Sequence, residues 1–329
     1  MGKVISNPIL VIGSIGMDEI IKMEELPKAG AIQIGEIKST PGGKGNNQAV
    51  ACSRAGGKVT FIGVVGNNND YDKILTKFLK DNNINPILDI RKNEDCHKAT
   101  VVIDSSGMGR IVVKPNADVY LSKNIIDDNI NELEKSEIII LDLEIPLETV
   151  EYVINKCYQS QKQKKIILRP SFILSGKESV LPEKDKKTFE NIIKKVNYLI
   201  VDESELNIIS GQSTNCEEEV KKACQEFMKK EPQNLIVILK YEGCRLWNKE
   251  VSNKEFRSYY KKEDVADFSG AVDCFIGVFA AYLHKNYQID EAIKYANLAL
   301  SISAKKFGII DSFPKLDEIN REREKINDW

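Results

Sequence analysis

"EIIILDLE", residues 137–144, runs through Ile138, Ile139, Ile140 and Leu141 without a polar break and then closes on Asp142 and Glu144. A strand with one wet face alternates apolar and polar residues. An unbroken β-branched run reads instead as a strand covered on both faces, as in a parallel sheet. The other candidate strands are "ILVIGSI" (9–15), "KVTFIGVVG" (58–66), "KKIILRP" (164–170), "YLIVDE" (198–203) and "NLIVILK" (234–240), and four of the six are nearly continuous β-branched runs of this kind. Between these runs lie helix-length amphipathic stretches at 45–56, 70–82, 146–161, 186–196, 215–230, 269–286, 289–306 and 315–327. The alternation predicts an α/β fold: a doubly wound, mostly parallel sheet with helices on both faces. Ligands of such sheets collect at the carboxyl ends of the strands, so the residues that end each run are the site candidates.

Two stretches break the pattern. "AIQIGEIKS" (31–39) and "ATVVIDSSGMGRIVVKP" (99–115) alternate apolar and polar residues, the second with a hairpin turn around "SSGMG". Strands of this kind are half exposed and antiparallel, out of place in a parallel core. They predict a small β lid, formed by about residues 19–40 and 97–118, on a single α/β domain spanning 1–329. An ordinary edge hairpin is the blander alternative. The Lys/Glu/Asn-rich segments around 121–135 and 176–190 read as solvated turns.

Bulk composition narrows the function classes. With 42% apolar and 29% charged residues and a formal charge of −2, the 329-residue chain reads as a soluble globular protein with no attraction for nucleic acid. The apolar run "PILVIGSIGM" is too short to cross a bilayer and lacks a cleavage site, so a cytoplasmic location without membrane contact is expected. Seven cysteines without a C-x-x-C pair read as reduced thiols. Only His97 and His284 are available as histidines, which argues against His-ligated metals and Ser-His-Asp chemistry. Both read as surface or structural residues.

Two loop-to-helix junctions can carry chemistry. In "TPGGKGNNQAVACSRAG" (40–56), glycines at 42, 43 and 45 let backbone approach a ligand, and Lys44 and Asn47 supply a cation and an amide at a helix mouth. This is neither a Walker A loop nor a dinucleotide fingerprint. In "DFSGAVDCF" (267–275), small residues lead to Asp273 at the start of an apolar helical run. Val272 occupies the place beside the acid, where a phosphoryl-holding loop favours glycine.

Taken in order, "GSIGMD", "GGKGNNQA", "FIGVVG", "LDLE" and "D-x-S-G-A-V-D" resemble the ribokinase family of sugar kinases, over residues 9 to about 314. The resemblance implies a doubly wound domain with a β lid, a homodimer joined through the lids, and ATP-dependent phosphorylation of a sugar hydroxyl. It implies Asp273 as catalytic base, and Asp18, Gly43, Lys44, Asn47, Glu144 and Asp273 as sugar ligands. Nucleotide contacts fall on Asp202, Glu205, Lys240, Gly243, Gly270, Ala271, Val272 and Asn297, with Glu205 tied to a Mg²⁺ and phosphate water network. A K⁺ site falls on Asp267, Ser269, Ser303, Lys306, Gly308 and Ser312.

The sequence departs from the family on the nucleotide side. Asp202 replaces an asparagine, Ile238-Leu239-Lys240 a Thr-Leu-Gly element, Phe268 a threonine, Arg169-Pro170 an Asn-Pro element, and Val272 a glycine. If the Val272 position needs φ > 0, valine is also a backbone outlier there. The leading expectation is a kinase forming ribose 5-phosphate from D-ribose. A sugar-binding relative with impaired ATP use, and a kinase of another sugar or a nucleoside, are the alternatives.

Overall fold

The computed structural model describes residues 8–105, 109–171, 183–327 and 329. All six expected core strands form, lie side by side and run parallel. In chain order the strands are β1 (Ile9–Ile12), β2 (Gly16–Lys22), β3 (Glu36–Gly42), β4 (Val59–Gly66), β5 (Ile84–Arg91), β6 (Lys98–Ile103) and β7 (Gly109–Lys114), followed by β8 (Ile138–Asp142), β9 (Lys165–Arg169), β10 (Tyr198–Asp202), β11 (Asn234–Leu239), β12 (Gly243–Asn248) and β13 (Lys254–Arg257). The large sheet has the order β13-β12-β11-β10-β9-β8-β1-β4-β5. Leu10 pairs with Thr60 on one side and Ile139 on the other, so β1 sits where the strand order reverses.

The helices are α1 (Lys44–Arg54), α2 (Tyr71–Asp81), α3 (Lys123–Asp128), α4 (Ile130–Lys135), α5 (Leu147–Gln159), α6 (Glu183–Ile193), α7 (Glu203–Ser210), α8 (Glu217–Met228), α9 (Ala271–His284), α10 (Ile289–Ala304) and α11 (Leu316–Glu324). The continuous apolar strands split their side chains between two cores. Ile9, Val11, Ile138 and Ile140 face α1, α9 and α10, while Leu10, Ile12, Ile139 and Leu141 face α5, α6 and α8. Apart from Asp273 in its first turn, the buried stretch Ala271 to Leu283 of helix α9 is almost wholly apolar, as befits a helix inside the molecule. All seven cysteines are free, Cys216 alone being exposed. Among the described residues, no helix is long and apolar enough to cross a membrane.

A second sheet, of order β3-β2-β6-β7, lies apart from the first. Strand β2 pairs antiparallel with β3 and parallel with β6, which pairs antiparallel with β7. The alternating stretches therefore form a separate layer, with three differences from expectation. Residues 31–35 are irregular and β3 begins at Glu36; β2, hidden in the glycine-rich continuation of β1, is the strand between β3 and β6; and the turn expected at "SSGMG" falls on 106–108, outside the described residues. The segment 121–135, expected as turns, forms α3 and α4, and α6 begins inside 176–190. There Ile125, Ile126 and Leu133 are buried, so the few apolar residues in a charged stretch suffice to dock both short helices. Strands β5, β12 and β13 were not expected at all.

Candidate active site

Glycine geometry closes the first half of the site. Gly43, which caps α1 with φ 91°, has no room for a Cβ: it would stand 2.8 Å from the Ser14 oxygen and the Ile15 Cα. Only glycine combines that conformation with that approach. The tight turn presses the start of α1 against the ends of β1 and β8. Glu144 then gathers three donors: Ser14 Oγ at 2.6 Å, Lys44 Nζ at 2.9 Å and the Lys44 backbone N–H at 3.2 Å. Burial alone would raise the Glu144 carboxyl, but Lys44 and His97 outweigh it and hold it at about 2. Asp142 accepts the Glu144 N–H at 2.9 Å and the Ser14 N–H at 3.2 Å, and burial beside Glu144 pushes its carboxyl up.

The second sheet brings the facing wall. Asp18 on β2 is 4% exposed and accepts the Ala99 N–H at 3.3 Å. Burial raises its carboxyl to about 6. His97, placed among the structural histidines by its sequence, lines the cleft. Its Nδ1 lies 3.1 Å from Asp118 and its Nε2 3.9 Å from Glu144. Burial would lower the imidazole, but the Asp118 hydrogen bond and the Glu144 charge carry it to about 9. Nothing in the local sequence "CHKA" marks this residue; the parallel pairing of β2 with β6, extended by the Gly16–His97 bridge, puts it there.

At the far end Gly270, with φ 72°, caps α9, and no side chain caps that helix. The Ala271 N–H is met by the Phe268 carbonyl at 3.2 Å, and helix N-termini left without a side-chain cap are suited to anions. Val272 lies in regular helix, 4% exposed, so the positive φ belongs to Gly270 and valine is no outlier. Asp273 Oδ1 accepts Gln48 Nε2 at 2.9 Å and Arg169 Nη1 at 2.6 Å, while Oδ2 accepts Asn47 Nδ2 at 3.3 Å. Arg169, expected only as a departure from the family pattern, also donates from Nε to Glu205 at 2.8 Å and lies 3.5 Å from Asp202.

These walls enclose a cleft of about 220 Å³. Asp18, Gly43, Lys44, Asn47, Glu144 and Asp273 all line it, with Asp202, Gly270, Val272 and Ser269, and with His97 and Arg169. The buried Asn47 Oδ1 has no hydrogen-bond partner among the described residues, an acceptor left for a ligand. Ala271 follows Gly270 inside α9. The other nucleotide positions stand outside this lining. Asn297 is 1% exposed and donates to the Arg257 carbonyl at 2.7 Å, tying α10 to β13. Lys240 lies over the Phe268 and Tyr241 rings, and Gly243, φ 103°, opens β12.

The positions expected to hold K⁺ fall into two hydrogen-bonded groups. Asp267 accepts the Ser269 N–H at 2.9 Å and the Gly308 N–H at 3.1 Å, Ser303 Oγ meets Ser312 Oγ at 2.6 Å, and the Lys306 N–H donates to the Ser303 carbonyl at 2.9 Å. Carboxylate, hydroxyl and carbonyl oxygens suit a hard cation. Glu205, expected to reach Mg²⁺ through a water and phosphate network, has both carboxylate oxygens engaged by protein donors. Glu205 Oε1 takes Arg169, and its Oε2 takes the Asp202 N–H at 3.0 Å in a capping box of α7. Among the described residues no three carboxylate, imidazole or thiol side chains are arranged to hold a metal.

A carboxylate at a helix mouth, across a cleft of acids, amides and a lysine at the reversal of a doubly wound sheet, defines a phosphotransferase acting on a sugar hydroxyl. Residues 6–316 match the model of the pfkB family carbohydrate kinases, and the chain belongs to that family. It is 29% identical to a ribokinase of Dictyostelium discoideum over 328 residues, 95% of this chain and 99% of that one. It is 28% identical to a deoxyribokinase of Salmonella typhi, over 95% and 97% of the two chains. The solved structure of Arabidopsis thaliana ribokinase complexed with ribose and ATP superposes with a TM-score of 0.79 at 23% identity, covering 96% of this chain and 98% of that one.

Proposed function

We propose that this sugar kinase transfers the γ-phosphoryl of ATP to the primary hydroxyl of a pentose, D-ribose before others. The observation that carries the proposal is the convergence of Asp18, Lys44, Asn47, Glu144 and Asp273 on one cleft that ends at the uncapped N-terminus of α9. Carboxylates accept the hydrogens of a polyol while amide and ammonium groups donate to its oxygens. Asp273 is the base. Its Oδ1 is held by two donors, so Oδ2, with one long amide contact, receives the hydroxyl proton. The transition state of phosphoryl transfer is loose, and the base chiefly orients the hydroxyl and takes the proton late. The N–H groups of Gly270, Val272 and Asp273 stabilise the charge on the moving phosphoryl oxygens, the Ala271 N–H being taken by the Phe268 carbonyl at 3.2 Å.

Lys44 adds a cation between the two halves, and Asp202, Glu205, Lys240, Gly243 and Asn297 belong to the nucleotide side. Oxygens of Asp267, Ser303 and Ser312 would hold a K⁺, which would supply positive charge beside the phosphate loop, and Mg²⁺ would enter on the nucleotide. The lids of two subunits pair. The test is a coupled ADP assay on the purified chain with ribose, 2-deoxyribose, hexoses and nucleosides, with and without K⁺. ADP formed with ribose at the highest kcat/KM supports the reading. A higher kcat/KM for 2-deoxyribose reassigns the sugar, and no turnover with any of them sinks it.

A further inference from the structure

The Asn-Pro element of the family is Arg169-Pro170 here, and the structure shows what the arginine does. Arg169 ends β9, with its side chain 9% exposed, and its guanidinium spreads over three carboxylates from three elements. Nε bonds Glu205 of α7 at 2.8 Å, Nη1 bonds Asp273 of α9 at 2.6 Å, and Nη2 lies 3.5 Å from Asp202 at the end of β10. Three buried or half-buried acids within reach of one point would otherwise need a counter-ion, since uncompensated charge in a dry site is costly. Mg²⁺ and Mn²⁺ are held by one or two carboxylates with waters or phosphate oxygens completing the shell, so Asp202 and Glu205 without their guanidinium would suit such an ion. A guanidinium offers fixed donors in a planar fork, so it neutralises the acids and also sets their orientation.

We propose that Arg169 is a positioning residue and resident counter-charge of the phosphotransfer site: it aims Asp273 and occupies the place where this acid cluster would otherwise bind a divalent cation. The proposal rests on the phosphotransfer reading of the cleft. Two consequences follow from the geometry. The free protein takes up no divalent ion at Asp202 and Glu205, so divalent metal reaches the site only on nucleotide phosphates. And a lysine at 169 keeps the charge yet loses the simultaneous contacts to Glu205 and Asp273, leaving the base misaimed.

The experiment titrates Mn²⁺ alone into the full-length, nucleotide-free protein, followed by electron paramagnetic resonance. Wild type should bind no stoichiometric Mn²⁺. Arg169→Asn should gain one site per chain, and Arg169→Asn/Glu205→Gln should lose it again. Arg169→Lys should bind no Mn²⁺ and lose at least about tenfold in kcat, with the sugar KM within about twofold of wild type. Stoichiometric Mn²⁺ on the wild type, or a folded Arg169→Asn that gains none, overturns the counter-charge. An Arg169→Lys kcat equal to wild type overturns the positioning role. Should Arg169→Asn fail to fold by circular dichroism, the wild-type and lysine arms still decide. The Mn²⁺ readout requires no turnover, so a chain that phosphorylates no sugar contradicts the proposed reaction without touching the metal result.

Discussion

Val272 stands one residue before the base, buried to 4% and shared between the core and the cleft wall. Regular helical backbone removes one objection to valine and leaves the matter of shape: two methyls stand where the family keeps a hydrogen. Val272→Gly is expected to raise kcat, by up to about a hundredfold if the methyls displace the phosphoryl by 1 Å, and to leave sugar KM nearly unchanged. It should also lower stability by roughly 1 kcal/mol or more through helix propensity. Asp273→Asn should abolish turnover in either background. Steady-state kinetics decide, and a Val272→Gly kcat at or below wild type shows that the valine merely packs. Asp18 supplies a second test at this scale. Burial lifts its carboxyl from the ordinary 3.8 to about 6, so the acid is protonated below that pH in the folded protein. A sugar that binds the carboxylate should show a KM rising about tenfold per unit well below pH 6. His97, carried to about 9, stays charged throughout that window and does not confound it. Asp18→Asn should lose the inflection; one that persists assigns it to another group.

Helix α9 is aimed by α1, and one glycine sets how closely they cross. A Cβ at Gly277 would stand 2.4 Å from the Gln48 carbonyl oxygen and 2.6 Å from the Ala51 Cβ. That approach lets Gln48 and Asn47 reach Asp273, one turn earlier on α9. Alanine gains about 1 kcal/mol in helix propensity, but overpacking against backbone costs about 1–3 kcal/mol and should win. Gly277→Ala is expected to lower Tm by a few degrees and to reduce kcat more than sugar KM. A Tm at or above wild type in calorimetry removes the close-crossing argument. Elements of this kind differ in how plainly the sequence shows them. Parallel strands were legible because burial on both faces leaves continuous apolar runs. Strand β5 contains Pro86 at a sheet edge, and β12–β13 rests on a positive-φ Gly243, neither of which prints a periodicity. "DESE" is the capping box that starts α7, a local signal that was read only as a nucleotide element. The cleft was legible wherever side chains follow a glycine turn or a strand end. His97 and Arg169 were not, because their partners arrive by topology: Arg169 meets Asp273 across 104 residues of chain.

At the scale of the molecule, the second sheet carries apolar surface that the fold does not cover. Ile32 and Ile34, in the irregular segment before β3, are 98% and 94% exposed, Val112 on β7 is 72% exposed, and Ile37 on β3 is more than half exposed. Strands β3 and β7 are its two edges, and exposed edges with apolar side chains invite pairing. The inner face is already used, since Ala99, Val101, Ile111 and Val113 line the cleft. Among its ties to the body, Lys38 pairs with Asp311 at 2.7 Å and Lys22 lies 4.1 Å over the Phe307 ring, both exposed, while Met17 at the start of β2 joins the main core. Covering the exposed face with a partner is stabilising, each buried isoleucine or valine being worth about 1.5–3 kcal/mol. A second copy supplies the same apolar surface in return, as a two-fold interface requires. Light scattering at micromolar concentration is therefore expected to give twice the 37.1 kDa of one chain. Val112→Glu, which places a charge on the exposed outer sheet, should return the monomer mass and weaken sugar binding while leaving Tm within a few degrees. A wild type that scatters as a single chain, with and without ribose, shows that the lid works alone.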